Sequence, residues 1–283
     1  RFSILMVAAW LLGLASTYFL ARVPRDDPAP RAGERLRFQP RETLRQVRRI
    51  LAHKPFRRIV VFSIFATFAL SSFPIFLILY LREVAGWAEG TILKLSSIQP
   101  LGILILAVWF GRLSDRIGSR PVLRISGVGL MLVVTFWSLS AFGLGMPGFP
   151  LAALAFLCMG ILFSSQAVAH SRLSMACYPA KDYTMASALT QVSIAIGAGG
   201  GAVSFGFILE WVHEKFPAEP AGVSWGYLTI WTTMILLTLA TQWALTRIPE
   251  EGRVPTRVVL VQAMYGFPLR ALSSFLVEGR RKR

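Results

Sequence analysis

Seven apolar runs of about 20 residues each leave this chain few folds to choose from. They cover approximately residues 2–21, 59–81, 92–110, 121–142, 151–171, 186–211 and 225–245. A helix rises about 1.5 Å per residue, so each run is long enough to cross a hydrocarbon layer of about 30 Å. Inside lipid no water pairs a backbone N–H or C=O, which selects helices over open strands. The fold class expected is all-α, a polytopic membrane protein whose first partner is the bilayer. Composition agrees: with 54% hydrophobic and 16% charged residues and a mean hydropathy of +0.57, there is too little polar surface to cover a soluble domain.

The net charge of +16 would raise nucleic acid as a partner in a soluble chain. Here the basic residues fall between the apolar runs, so no nucleic-acid partner is expected. Their distribution instead sets topology. Twelve Lys and Arg lie between residues 22 and 58, four (Arg112, Arg116, Arg120, Arg124) follow the third run, Arg172 and Lys181 follow the fifth, and Arg247, Arg253, Arg257 and the 280–283 cluster follow the last. The turns between them hold few. Positive loops stay cytoplasmic, so the chain is expected to start outside, end inside, and sit as a multi-pass protein in the cell's plasma (inner) membrane.

Cys158 and Cys177 provide neither a disulfide framework nor a metal spacing, and no metal, cofactor or catalytic cluster is expected. The 22–58 loop is too long for a turn. Its Pro-rich first part reads as a linker, and Leu44, Val47, Ile50 and Leu51 then form an apolar stripe beside Arg41, Arg45, Arg48 and Arg49, which predicts a helix over 41–52 lying on the cytoplasmic membrane face. The tail 258–277, broken by Pro268 and Arg270, is expected to be interfacial. Both the first and last runs end in a basic residue, a β-branched residue, Pro and acids (Arg22-Val23-Pro24 and Arg247-Ile248-Pro249), as the ends of two repeats would. The chain opens at Arg1 inside an apolar run, so it is expected to be cut from a longer protein.

One charged loop is clamped between the third and fourth runs: Gly111-Arg112-Leu113-Ser114-Asp115-Arg116-Ile117-Gly118-Ser119-Arg120. Gly111 and Gly118 permit a tight reversal, and three arginines surround one carboxylate. Gly111, Leu113, Asp115, Arg116, Gly118 and Arg120 resemble the G-x-L-x-D-R-x-G-R-R loop of the major facilitator superfamily of secondary transporters. Ser119 departs from it, since the family usually has Arg or Lys there. The resemblance implies a major-facilitator-type helical bundle, with seven spans here of an expected twelve. On that mapping residues 1–21 are the last helix of the N-terminal half, 22–58 the central loop, 59–247 the six-helix C-terminal half and 248–283 a basic tail, with the rest of the N-terminal half absent. It further implies that Asp115, with Arg116 and Arg120, closes the cytoplasmic side in one state, through the helix N-terminus near Asp182, and releases it in the other.

Polar side chains inside apolar runs are costly in lipid and mark cavities or helix contacts. By resemblance the family's seventh, eighth, tenth and eleventh helices line its central cavity, and Gln99, Gln191, Ser71, Ser72, Ser165 and Gln166 lie on them, as does Ser164. Gln99 and Gln191 are the leading candidates for contact with solute. His170 reads as a solvated side chain at a helix end. Gly197, Gly199, Gly200, Gly201 and Gly206 read as a close-packing face. No Asp or Glu falls in the middle of any run, so the expected small-molecule substrate travels with or without a coupling proton. The function expected is secondary active transport of a small organic solute by alternating access, not enzymatic catalysis. The alternative is a seven-helix receptor or sensor, which shares the topology.

Overall fold

Pro74 divides the second apolar run. Having no N–H to give the carbonyl four residues earlier, it ends one helix at Leu70 and lets another begin at Phe73. A computed structural model describes residues 40–248 apart from 180–181, 217–222 and the side chains of 40, 105–113 and 115–117. The first run, the linker, the repeat-like end at Arg22 and the 258–277 tail all lie outside the described residues. Within them the helices are α1 (Pro40–Ala52), α2 (Lys54–Leu70), α3 (Phe73–Glu83), α4 (Glu89–Ile117), α5 (Ser119–Ala141), α6 (Phe149–Ala176), α7 (Tyr183–Lys215) and α8 (Trp225–Leu245). The chain clusters into two units, residues 1–43 and 44–283; the described part of the first is the opening turn of α1.

Five spans among the described residues are long and apolar enough to cross a membrane: α2 and α3 together (Lys54–Glu83), α5, α6, α7 and α8. The 29-residue α4 carries the 92–110 run, continues through Pro100 as one helix, and extends two turns past that run to Ile117. Gly111 therefore lies inside α4, and the reversal belongs to Gly118 alone. Its φ of 95° and ψ of 159° are open to a residue without Cβ and strained for any other.

Glycines set the closest helix crossings, as membrane packing requires when lipid gives no hydrophobic drive for association. A Cβ on Gly160 would collide with the Gln99 backbone carbonyl, and one on Gly102 with Leu157 and Ile161, so α4 and α6 cross backbone to backbone. Gly197 and Gly201 do the same for α7 against Ile64 and Phe68 of α2, while Gly199 and Gly206 have open space beside them. At the end away from the Gly118 turn, Phe73, Tyr80, Tyr227 and Trp231 form an aromatic cluster, with the Tyr80 and Trp231 rings 4.9 Å apart. There the Tyr227 hydroxyl donates to Glu83 Oε2 at 3.0 Å, tying α8 to α3.

At the Gly118 end a second apolar cluster joins Ile50, Phe56, Ile59, Leu123, Leu173 and Leu245. This alters the expectation for α1. Ile50 is 1% exposed and Leu51 packs against the same cluster, so the stripe turns toward the bundle rather than lipid; Leu44, at 73%, is its exposed member. Arg49 adds an ion pair to Asp182 at 2.9 Å, at the start of α7.

Candidate functional site

Two polar rows run along apolar helices and face each other. Ser63, Thr67 and Ser71 recur at four-residue spacing on α2 and its end, and Gln166 and His170 do so on α6, so each row lies on one helix face. Between them, with α7 closing the side, is a cleft of about 210 Å³ lined by Ala66, Thr67, Leu70, Ser71, Phe163, Gln166, Ala167, His170 and Ile194. It lies beside the α2–α3 break, close to the middle of the Lys54–Glu83 span.

The hydroxyls at the cleft bond their own helices. Ser63 Oγ donates to the Ile59 carbonyl at 2.7 Å, Thr67 Oγ1 to that of Ser63 at 2.7 Å, and Ser71 Oγ to that of Thr67. Such back-bonding lets a hydroxyl sit in lipid and leaves its lone pairs for a ligand. His170 is half-buried, stacks on Phe62 with ring centroids 6.0 Å apart, and places Nε2 2.7 Å from Ser63 Oγ. It is therefore not the solvated side chain its position near a helix end suggested. The four-residue echo of Gln166 and His170 was the signal in the sequence that could have found it.

Of the candidate cavity residues, the structure brings together Ser71 and Gln166. Ser72 is buried in helix packing, and Ser165 is buried with its hydroxyl on the Leu162 carbonyl at 2.9 Å. Gln99 is half-buried on α4, its backbone at the α6 crossing, and Gln191 is exposed on α7; neither lines the cleft.

The charged loop forms a second locus. Asp115 stands in the last turn of α4 by backbone position, where the negative end of the helix dipole disfavours a carboxylate. The side chains of Gly111's neighbour Arg112, of Asp115 and of Arg116 lie outside the described ones. Across the Gly118 turn, Ser114 and Ser119 face each other with hydroxyls 3.2 Å apart, both buried, so the loosest position of the motif is filled by a compact polar pair. Arg120, 4% exposed, reaches across to α8 and donates to the carbonyls of Leu245 at 2.9 Å and Thr246 at 2.5 Å. A guanidinium on a helix C-terminus satisfies carbonyls that have no intrahelical donor and opposes the dipole's negative end. Arg58 does likewise to the Arg247 carbonyl at 2.6 Å.

The family description Major Facilitator Superfamily matches residues 2–139 and again 91–277. The chain belongs to the major facilitator superfamily. A relative, solute carrier family 22 member 15 of Xenopus tropicalis, is 30% identical over 128 residues, which is 45% of this chain and 23% of that protein's length. The chain is thus a multi-pass integral membrane protein of a transporter family, with a helical bundle of the kind the charged loop implied, and the receptor alternative falls away.

Proposed function

We propose that this chain supplies the C-terminal six-helix wall, and the last helix before it, of a secondary active transporter that moves a small organic solute by alternating access. Residues 1–21 are that preceding helix, 22–58 the central loop, 59–247 the six-helix half and 248–283 a basic interfacial tail. The N-terminus faces outward and the C-terminus inward in the plasma (inner) membrane, following the Lys and Arg distribution. The single observation that carries the reading is the cleft at the broken second span, where Gln166, Ser71, Thr67 and His170 gather in an otherwise apolar wall. A discontinuous helix at mid-membrane is where such transporters bind their cargo, because a break frees backbone groups that lipid alone would not tolerate. The relative's name, a solute carrier, fits the same reading. Gln99 and Gln191 lie outside this cleft.

Uptake of labelled solutes by proteoliposomes carrying the full-length protein tests this. A panel spanning sugars, organic acids, amines and neutral alcohols is run with and without an imposed proton gradient. At least one class accumulates, and Gln166→Ala slows its initial rate about five- to tenfold, the worth of one buried hydrogen bond. No uptake of any class, or an unchanged rate in the variant, counts against the site. Asp115→Asn weakens the outward-facing state. The expected readout is faster thiol labelling from the cytoplasmic side at a cysteine placed in the cleft, and equal labelling in both proteins sinks the latch role of the loop.

A further inference from the structure

We propose that the cleft between α2, α6 and α7 takes a solute, or the part of one, that is uncharged, largely apolar and bears a hydroxyl or amide hydrogen-bond donor. This rests on the transport reading above and narrows its substrate class. The Ser63 hydroxyl lies 2.7 Å from both the Ile59 carbonyl and His170 Nε2. A carbonyl only accepts, so we assign the hydroxyl proton to Ile59 and the donor role toward Ser63 to Nε2. Neutral His170 is then the Nε2–H tautomer, and its Nδ1 is an acceptor. The protons of Thr67 and Ser71 are committed to carbonyls of their own helix, leaving acceptor lone pairs. Pro74 removes the donor that the Leu70 carbonyl would otherwise meet, at a residue that lines the cleft. Gln166 is the lining side chain whose amide both donates and accepts.

The wall therefore offers acceptors in excess of donors. No Asp, Glu, Lys or Arg is among the described residues that line it. A carboxylate entering would face lone pairs, and an ammonium would find acceptors but no counter-charge, each in a setting where an uncompensated charge is strongly disfavoured. Phe163, Leu70 and Ala66 supply apolar contact for the remainder of the ligand.

The test uses the full-length protein in proteoliposomes with Cys158→Ser and Cys177→Ser, and a single reporter, Ala167→Cys, inside the cleft. Four probes of one shape, 4-phenyl-1-butanol, its methyl ether, 4-phenylbutyrate and 4-phenylbutylamine, are titrated against the rate of N-ethylmaleimide labelling. The alcohol is expected to protect at a concentration about fivefold below the ether, reflecting one donated hydrogen bond, with the two charged probes weaker than both. Equal protection by alcohol and ether would make the cleft a crevice for lipid tails and overturn the proposal, as would stronger protection by either charged probe. Absence of protection by all four in a protein that moves solute overturns it too. Protection by the alcohol in a protein that moves no solute supports the proposal and removes the transport reading instead. If Ala167→Cys fails to insert, Ile194→Cys reads the same cleft from α7.

Discussion

Arg120→Ala is expected to destabilise the helical bundle by about 3 kcal/mol, a large fraction of the margin of about 5–15 kcal/mol that holds a domain folded. The guanidinium is buried and donates to two carbonyls at the end of α8. Hydrogen bonds to a charged group are worth about 1.5–3 kcal/mol, and a cation at a partly buried helix C-terminus adds up to about 2 kcal/mol. Removing it takes the guanidinium donor from both carbonyls, leaving Leu245 with only the Ile248 N–H at 3.3 Å, and removes one of the contacts that hold α5 to α8. Arg120→Lys is expected to recover only part of the loss: Nη2 alone donates to both carbonyls, which an ammonium can also do, but the lysine stem is one bond shorter and its nitrogen falls short of that place. Thermal unfolding of the purified protein in detergent checks both. A melting temperature for Arg120→Ala equal to wild type would show that the contact contributes nothing, and that the loop's arginine acts only through topology or through another conformation.

Gly160→Val comes second, with an expected loss of about 2–4 kcal/mol. Its Cβ would occupy the place of the Gln99 carbonyl, and backbone, unlike the tip of a flexible side chain, cannot step aside. To admit the valine, α4 and α6 must separate along a crossing that Gly102 also keeps close from the other helix. Membrane helices associate through such close packing, so the loss spreads along the interface rather than staying local. The control is Gly206→Val, whose added atoms meet open space and are expected to cost under about 1 kcal/mol. Equal unfolding midpoints for Gly160→Val and Gly206→Val would refute the crossing as described.

These contacts show where sequence reading works and where it stops. A 20-residue apolar run must be a helix in lipid whatever surrounds it, because its backbone has no other way to be paired. The helices from α2 to α8 were legible for that reason, and the loop at Gly118 was legible because few residues survive its geometry. Boundaries were less so: α4 runs two turns past its apolar run, since a helix entering the aqueous boundary has no reason to stop while its hydrogen bonds continue. The second run hides a break that Pro74 signals. The same residue type at Pro100 leaves α4 intact, so a proline in an apolar run does not by itself tell a break from a continuous helix.

The cleft was half legible. Ser71 and Gln166 could be found because polar atoms in lipid are expensive, but that rule selects Gln99, Gln191, Ser72 and Ser165 equally. Cost in lipid says that a polar side chain has a partner, not which one. Only the rotation of each helix about its axis separates Gln166, turned to a cleft, from Ser165, turned into packing and satisfied by its own helix. The amphipathic α1 makes the same point: its stripe demands an apolar partner, and lipid or the bundle would serve; Ile50 and the Arg49–Asp182 pair decide for the bundle.

Composition, run length and the spacing of arginines therefore sufficed for a multi-pass helical protein and, through one loop motif, for its superfamily. Those properties depend on one dimension of the chain, since each span must satisfy its own backbone independently of the others. The pairing of His170 with Ser63, the capping of α8 by Arg120 and the choice among six candidate polar residues depend on which faces meet. Helix rotation and crossing are set jointly by many small contacts between distant segments, so they came from the packed bundle and not from any run read alone.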